Sequence, residues 1–187
     1  MIALIKGIVT DKEDRGIIVD TGSIGYFVSV PEHTKEVLAV GEQVTLVTHL
    51  VIRDDSHDLY GFESKPEREL FLMLFSVSGV GPRTALHILS SFPLPRLIST
   101  IQNGSGKELS LVPGIGKKTG EKIVLELKEK MKLFAPEITA SEVNHDVYEA
   151  LVALGYKDYK IHEALQGINK DISTQAQIKE ALQILGK

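Results

Sequence analysis

An α+β chain in three parts is what the sequence predicts, on three observations. Apolar residues alternate or cluster in short β-branched runs over residues 1–63, then recur at helical spacing over 64–134. A Gly-apolar-Gly turn occurs twice within the helical stretch, at Gly79–Val80–Gly81 and at Gly114–Ile115–Gly116. A short polar run containing a proline, residues 135–144, then precedes a helical tail, 145–187.

The β-rich part comes first. "IALIKGIVT", "RGIIVDT", "GYFVSV" and "QVTLVTHLVI" are separated by Gly, Pro and Asp turns, and "LYGF" (59–62) supplies a fifth strand. Five short strands fit a small closed barrel of the OB type, a frame that binds nucleic acid in some proteins and is only a scaffold in others. At "SKPERELFLMLFSV" the period changes. Ser64 with Glu67 fits a capping box, Pro66 suits a first turn, and Leu70, Phe71, Leu74 and Val77 share one face. Helical patterning continues to Phe134, with breaks at 78–82, 92–95, 103–106 and 112–116. The tail predicts three short helices, the first stopped by Gly155 and the third introduced by "DIST". A module this small suits docking a partner from a tether; the alternative is that it packs back on the body.

Of the 187 residues, 43% are hydrophobic and 25% charged, as in an ordinary globular protein. There is no cysteine, which excludes disulfides and thiolate metal sites. The start, "MIALIKGIVTDKED", does not read as a secretion leader, and no apolar run is long enough to span a bilayer. A cytoplasmic protein with no membrane association is expected. The net charge of −4 hides a division. Residues 1–63 carry 5 Lys/Arg against 11 Asp/Glu, residues 64–134 carry 11 against 6, and residues 135–187 carry 5 against 8. The only part with a basic excess is the one that holds both glycine turns, and for a polyanionic partner distribution outweighs the total.

The turns themselves favour an anion. A helix N-terminus presents unpaired N–H groups and the positive end of its dipole. Glycines before it permit positive φ and let a phosphate approach without a Cβ in the way. Pro82 and Lys117 stand where each following helix should start, and Arg83, Lys117, Lys118 and Lys122 add positive charge. Val80 and Ile115 are expected to anchor the turns in the helical core.

"GVGPRTA" and "LVPGIGKKTGEKI" look like tandem helix-hairpin-helix motifs, which hold the sugar-phosphate backbone without reading bases. Together with "VIRDDSHDLYGF" in the barrel and "ALVALGY" in the tail, they make the chain resemble, end to end, the RuvA family of Holliday-junction-binding subunits. The resemblance implies an OB-like barrel (1–63), a tandem hairpin domain (64–134), a linker (135–144) and a three-helix, UBA-like domain (145–187). It implies a non-catalytic subunit without a cofactor, acting in recombination and repair. Its partners would be four-way junction DNA, a RuvB-type hexameric ATPase and a RuvC-type junction resolvase. The assembly would be a homotetramer, or two tetramers face to face. Gly79, Val80, Gly81, Arg83, Gly114, Ile115, Gly116, Lys117, Lys118 and Lys122 would then hold phosphates. Asp54 and Asp55 would form an acidic pin at the junction centre, where the family commonly has Arg-Glu-Asp and this chain Arg53-Asp54-Asp55, one arm a methylene shorter. Leu151, Leu154, Tyr156 and Leu182 would meet the motor, with Tyr156 expected to be exposed. Gly120 lies inside the last helix, where the family usually has Ala, at an intrinsic cost of about 1 kcal/mol.

Other chemistries fit less well. Asp54, Asp55, His57 and Asp58 could ligate Mg²⁺ or Mn²⁺ for a nuclease, but one contiguous loop rarely completes such a site. "NGSGKE" (103–108) shares the end of a P-loop, yet Ile101 and Glu108 occupy positions that need Gly and Ser or Thr. The remaining histidines, His33, His49, His87, His145 and His162, are scattered and read as structural.

Overall fold

A computed structural model describes residues 1–139, 145–156, 160–161, 164–165, 168 and 172–185. The chain divides into two units, Met1–Met131 and Lys132–Lys187.

In the first unit five strands, β1 (Leu4–Glu13), β2 (Gly16–Asp20), β3 (Gly25–Val28), β4 (Gln43–Ile52) and β5 (His57–Phe62), form one antiparallel sheet in the order β3-β2-β1-β4-β5. The sheet curls until its edges meet at a single parallel bridge, where Ser29 donates to Leu59 and accepts from Gly61. The expected closed barrel is therefore a curled half-barrel, closed by one bridge rather than a full ladder. Inward residues Val9, Ile17, Val19, Val28 and Leu46 are fully buried, as strand alternation requires. A short helix that the sequence pattern does not reveal, α1 (Glu32–Val37), follows β3. Six residues are too few for a helical period to show.

The helical part comprises α2 (Lys65–Ser76), α3 (Pro82–Ser91), α4 (Leu94–Gln102), α5 (Gly106–Leu109) and α6 (Lys117–Thr139). Ser64 caps α2 by accepting the Glu67 N–H at 3.3 Å. The Glu67 carboxylate reaches back to the Glu63 N–H at 3.1 Å, one residue earlier than a standard capping box, and also meets His33 of α1 at 2.9 Å. Phe71 of α2 packs on Phe62 and Tyr60, with ring centroids 4.9 and 5.1 Å apart. Burying such a ring contributes about 2–3 kcal/mol, and its position explains why β5 is buried on both faces from Leu59 to Phe62. The helices are thereby fixed to the barrel. Burial and the Arg68 charge lower the pKa of His49, which faces Phe71, so the ring there is neutral near pH 7.

α6 runs on to Thr139, past the expected break after Phe134. Pro136 removes one backbone bond but does not by itself end a helix. Residues 140–144 of the expected linker, and His162, lie outside the described residues. In the second unit, α7 (His145–Ala153) and α8 (Thr174–Leu185) enclose Val147, Tyr148, Leu151, Ile161, Ala164, Leu165 and Ala181. Among the described residues no helix is long and apolar enough to cross a membrane.

Candidate nucleic-acid interface

The two glycine turns share one construction. In the first, the Val80 N–H bonds the Val77 carbonyl at 2.9 Å, Gly79 has φ 92°, and the Gly81 carbonyl receives the Ala85 N–H at 2.9 Å. In the second, Ile115 bonds Val112 at 3.0 Å, Gly114 has φ 87°, and Gly116 receives Gly120 at 3.0 Å. Val80 and Ile115 are buried, while all four glycines are exposed. α3 starts at Pro82 and α6 at Lys117, so Gly81 and Gly116 occupy the position before each helix.

The members of each glycine pair differ in why they are glycine. Gly79 and Gly114 need it for their positive φ. Gly81 has φ −79° and ψ 166°, a conformation open to any residue, and Gly116 is not in the positive region either. A Cβ on either would meet no heavy atom within 4 Å. The fold itself gives no reason for glycine at these two places.

Arg83, Lys117 and Lys118 are exposed in the first turns of α3 and α6. Lys122 lies one turn on and is partly engaged by Glu126 at 3.8 Å. The acidic residues sit elsewhere. Asp54 and Asp55 are exposed at the tip joining β4 to β5, where the Arg53 N–H closes the turn on the Ser56 carbonyl at 2.8 Å. The tip is shorter than the sequence suggests: His57 and Asp58 belong to β5, opposite Ile52 and Val51. Strand alternation sends neighbouring side chains to opposite faces, which scatters the suspected ligand cluster. Among the described residues, no group of three or more His, Cys, Asp or Glu is gathered to hold a metal ion.

The tail positions differ in exposure. Leu151 is fully buried in its own unit's core, and Leu182 and Tyr156 pack against that core. Gly155 has φ 86° and ends α7 in a Schellman motif, with Gly155 N–H on Val152 at 2.9 Å and Tyr156 N–H on Leu151 at 3.3 Å. That motif folds the residue after the glycine back over the last buried turn, so Tyr156 is half-buried against the core rather than fully exposed. Leu154 remains exposed, and Val152 and Ile184, which sequence reasoning missed, are exposed as well. Helical phase could have found Val152, which lies off the Val147–Leu151 stripe.

Three family models match the chain in order: RuvA N terminal domain over 1–61, SAM-like helix-hairpin-helix tandem over 71–129, and RuvA C-terminal domain over 142–186. The Holliday junction branch migration complex subunit RuvA of Methylibium petroleiphilum is 40% identical over 192 residues, covering all of both chains. The chain belongs to the RuvA family. RuvA proteins of Polaromonas sp. and Citrifermentans bemidjiense, named as the same subunit, are 42% and 41% identical over 190 and 199 residues, again end to end. Membership of the RuvA family accounts for a curled barrel leading into paired hairpins and a small helical tail on a single chain.

Proposed function

We propose that the protein is a non-catalytic cytoplasmic subunit that binds four-way DNA junctions by shape and brings an ATP-driven motor to them. One observation supports the grip above all: Gly81 and Gly116 keep two helix N-termini open where the fold does not require glycine. The relatives' name, Holliday junction branch migration complex subunit, supports the junction as ligand and a complex of several subunits around it. Residues 64–134 would form the grip, with amides around Gly79–Gly81 and Gly114–Gly116 and the side chains of Arg83, Lys117, Lys118 and Lys122 on phosphates. Such contacts position the DNA and carry no sequence information, which suits a junction that must slide. Residues 145–187 would dock the motor through Leu154, with Val152 and Ile184 as further exposed apolar positions, at the end of a linker within 135–144.

In a gel shift with a synthetic four-way junction and a matched duplex, the junction should bind far more tightly whatever its sequence. Each phosphate neutralised adds about 0.9 to the slope of log K against log salt, so affinity should fall steeply with salt. A shallow slope, or equal binding to both DNAs, would refute the reading.

The acidic tip, residues 1–63 being its frame, is the counterpart of the grip. In a tetramer, Asp54 and Asp55 of each copy would surround the crossover and repel its phosphates. The double substitution Asp54→Asn/Asp55→Asn should raise affinity for plain duplex and narrow the preference for the junction. An unchanged ratio of the two affinities would remove the pin from the account.

A further inference from the structure

The curled sheet is unzipped along part of its closure. β3 and β5 meet only at Ser29, through its bonds with Leu59 and Gly61. The two strands run parallel there, and from that bridge toward the acidic tip they part, leaving a slot of about 350 Å³. Tyr26 and Phe27 stand on one wall and His57 and Leu59 on the other, with Leu50 also in the lining.

Strand register ties this slot to the tip. Leu50 and Leu59 pair across β4 and β5, Leu59 within the barrel core and Leu50 packed against it. Two residues on, Ile52 pairs with His57, so alternation sets both on the same inward face, beyond the point where the core ends. Both are exposed. The chain between them, Arg53 to Ser56, is the turn that carries Asp54 and Asp55.

The walls discriminate between occupants. Asp58 lines the slot, Asp54 and Asp55 lie just beyond it, and among the described residues the lining includes no Lys or Arg, so a phosphate is repelled. An added strand finds too little edge: β3 offers Gly25–Val28 and β5 only His57–Leu59 before the bridge, short of the usual strand of about five or six residues. A flat, uncharged ring is better served. The Tyr26 and His57 rings give it aromatic surface to stack on. β3 and β5 are also the sheet's outer strands, whose edges carry N–H and C=O groups without ladder partners for its polar rim.

Each step of a sliding junction opens base pairs at the crossover before new ones close. We propose that the slot receives one such unpaired nucleobase, stacked beside His57 and Tyr26. The inference rests on the reading that places Asp54 and Asp55 at the crossover.

The test uses the full chain and three synthetic four-way junctions that cannot migrate: fully paired, with one unpaired base at the crossover, and with that unpaired base inside an arm. The crossover mismatch should bind about tenfold tighter than the paired junction, the scale of one base stacked on an aromatic side chain, and the arm mismatch no tighter. In His57→Ala that ratio should fall to about threefold, and in His57→Ala/Tyr26→Leu to about one. Should Tyr26→Leu fail to fold, His57→Ala carries the comparison alone, because His57 is exposed and outside the core. A parent ratio of about one, as a slot already filled by a second copy would give, overturns the proposal and leaves the clamps standing. So does an equal gain from the arm mismatch, or a ratio that the substitutions do not change. A parent that binds no junction better than matched duplex refutes the junction reading itself, and the proposal falls with it.

Discussion

A chain carrying Gly81→Asp and Gly116→Asp is expected to keep its melting temperature and lose four-way junction binding by at least about 100-fold, or about 2.7 kcal/mol. The two outcomes follow from one geometry. Each glycine immediately precedes a helix and its carbonyl accepts that helix's first backbone bond. Its Cβ would project into open space. Asp is among the best residues at such a position, since its carboxylate accepts the N–H of the second or third helical residue. Those are the amides a phosphate would use. The substitution therefore satisfies the helix from within, sets a negative charge where the DNA should sit, and leaves the core untouched. Gly79→Asp and Gly114→Asp differ, because positive φ strains any other residue, and those variants should lose stability as well as binding. Gel shift and thermal unfolding of the four single variants separate the two kinds of glycine. Junction affinity within about twofold of the parent for the Gly81/Gly116 pair would mean that the helix N-termini do not hold the DNA.

Much of this was legible in the sequence because it is local. The change of period at Ser64, the turn glycines, and the starts of α3 at Pro82 and α6 at Lys117 all depend on a few neighbouring residues. The features that were not legible depend on residues far apart in the chain. β5 appears in the sequence as "LYGF", but it begins at His57 because Ile52 and Val51 of β4 extend the pairing to the tip. Tyr156 looked like a free aromatic after a helix stop, yet the hydrogen bonds of the stop lay it half-buried against the core. The surroundings of Tyr60 are of the same kind, since only the packing of α2 on the barrel buries its ring against Phe71.

Gly120 carries the second large effect, and the structure changes its meaning. Within a helix it should cost about 1 kcal/mol relative to Ala, and the first hairpin has Ala85 at the corresponding place, fully buried. A Cβ on Gly120, however, would be driven into the backbone carbonyl oxygen of Gly106 in α5. The converse holds too: a Cβ on Gly106 would lie 2.9 Å from the Glu121 nitrogen. The two glycines let α5 and α6 touch backbone to backbone. Gly120→Ala would thus gain about 1 kcal/mol of helix propensity against the 1–3 kcal/mol or more that overpacking costs. A backbone atom cannot rotate aside as a side chain can, so the larger figure should prevail. We expect the melting temperature to fall by about 5 °C, together with weaker junction binding, because moving α5 away from α6 displaces the Gly114–Gly116 turn between them. Gly106→Ala should act in the same direction. If Gly120→Ala instead raised the melting temperature, propensity alone would govern the position and the close approach of the two helices would be refuted.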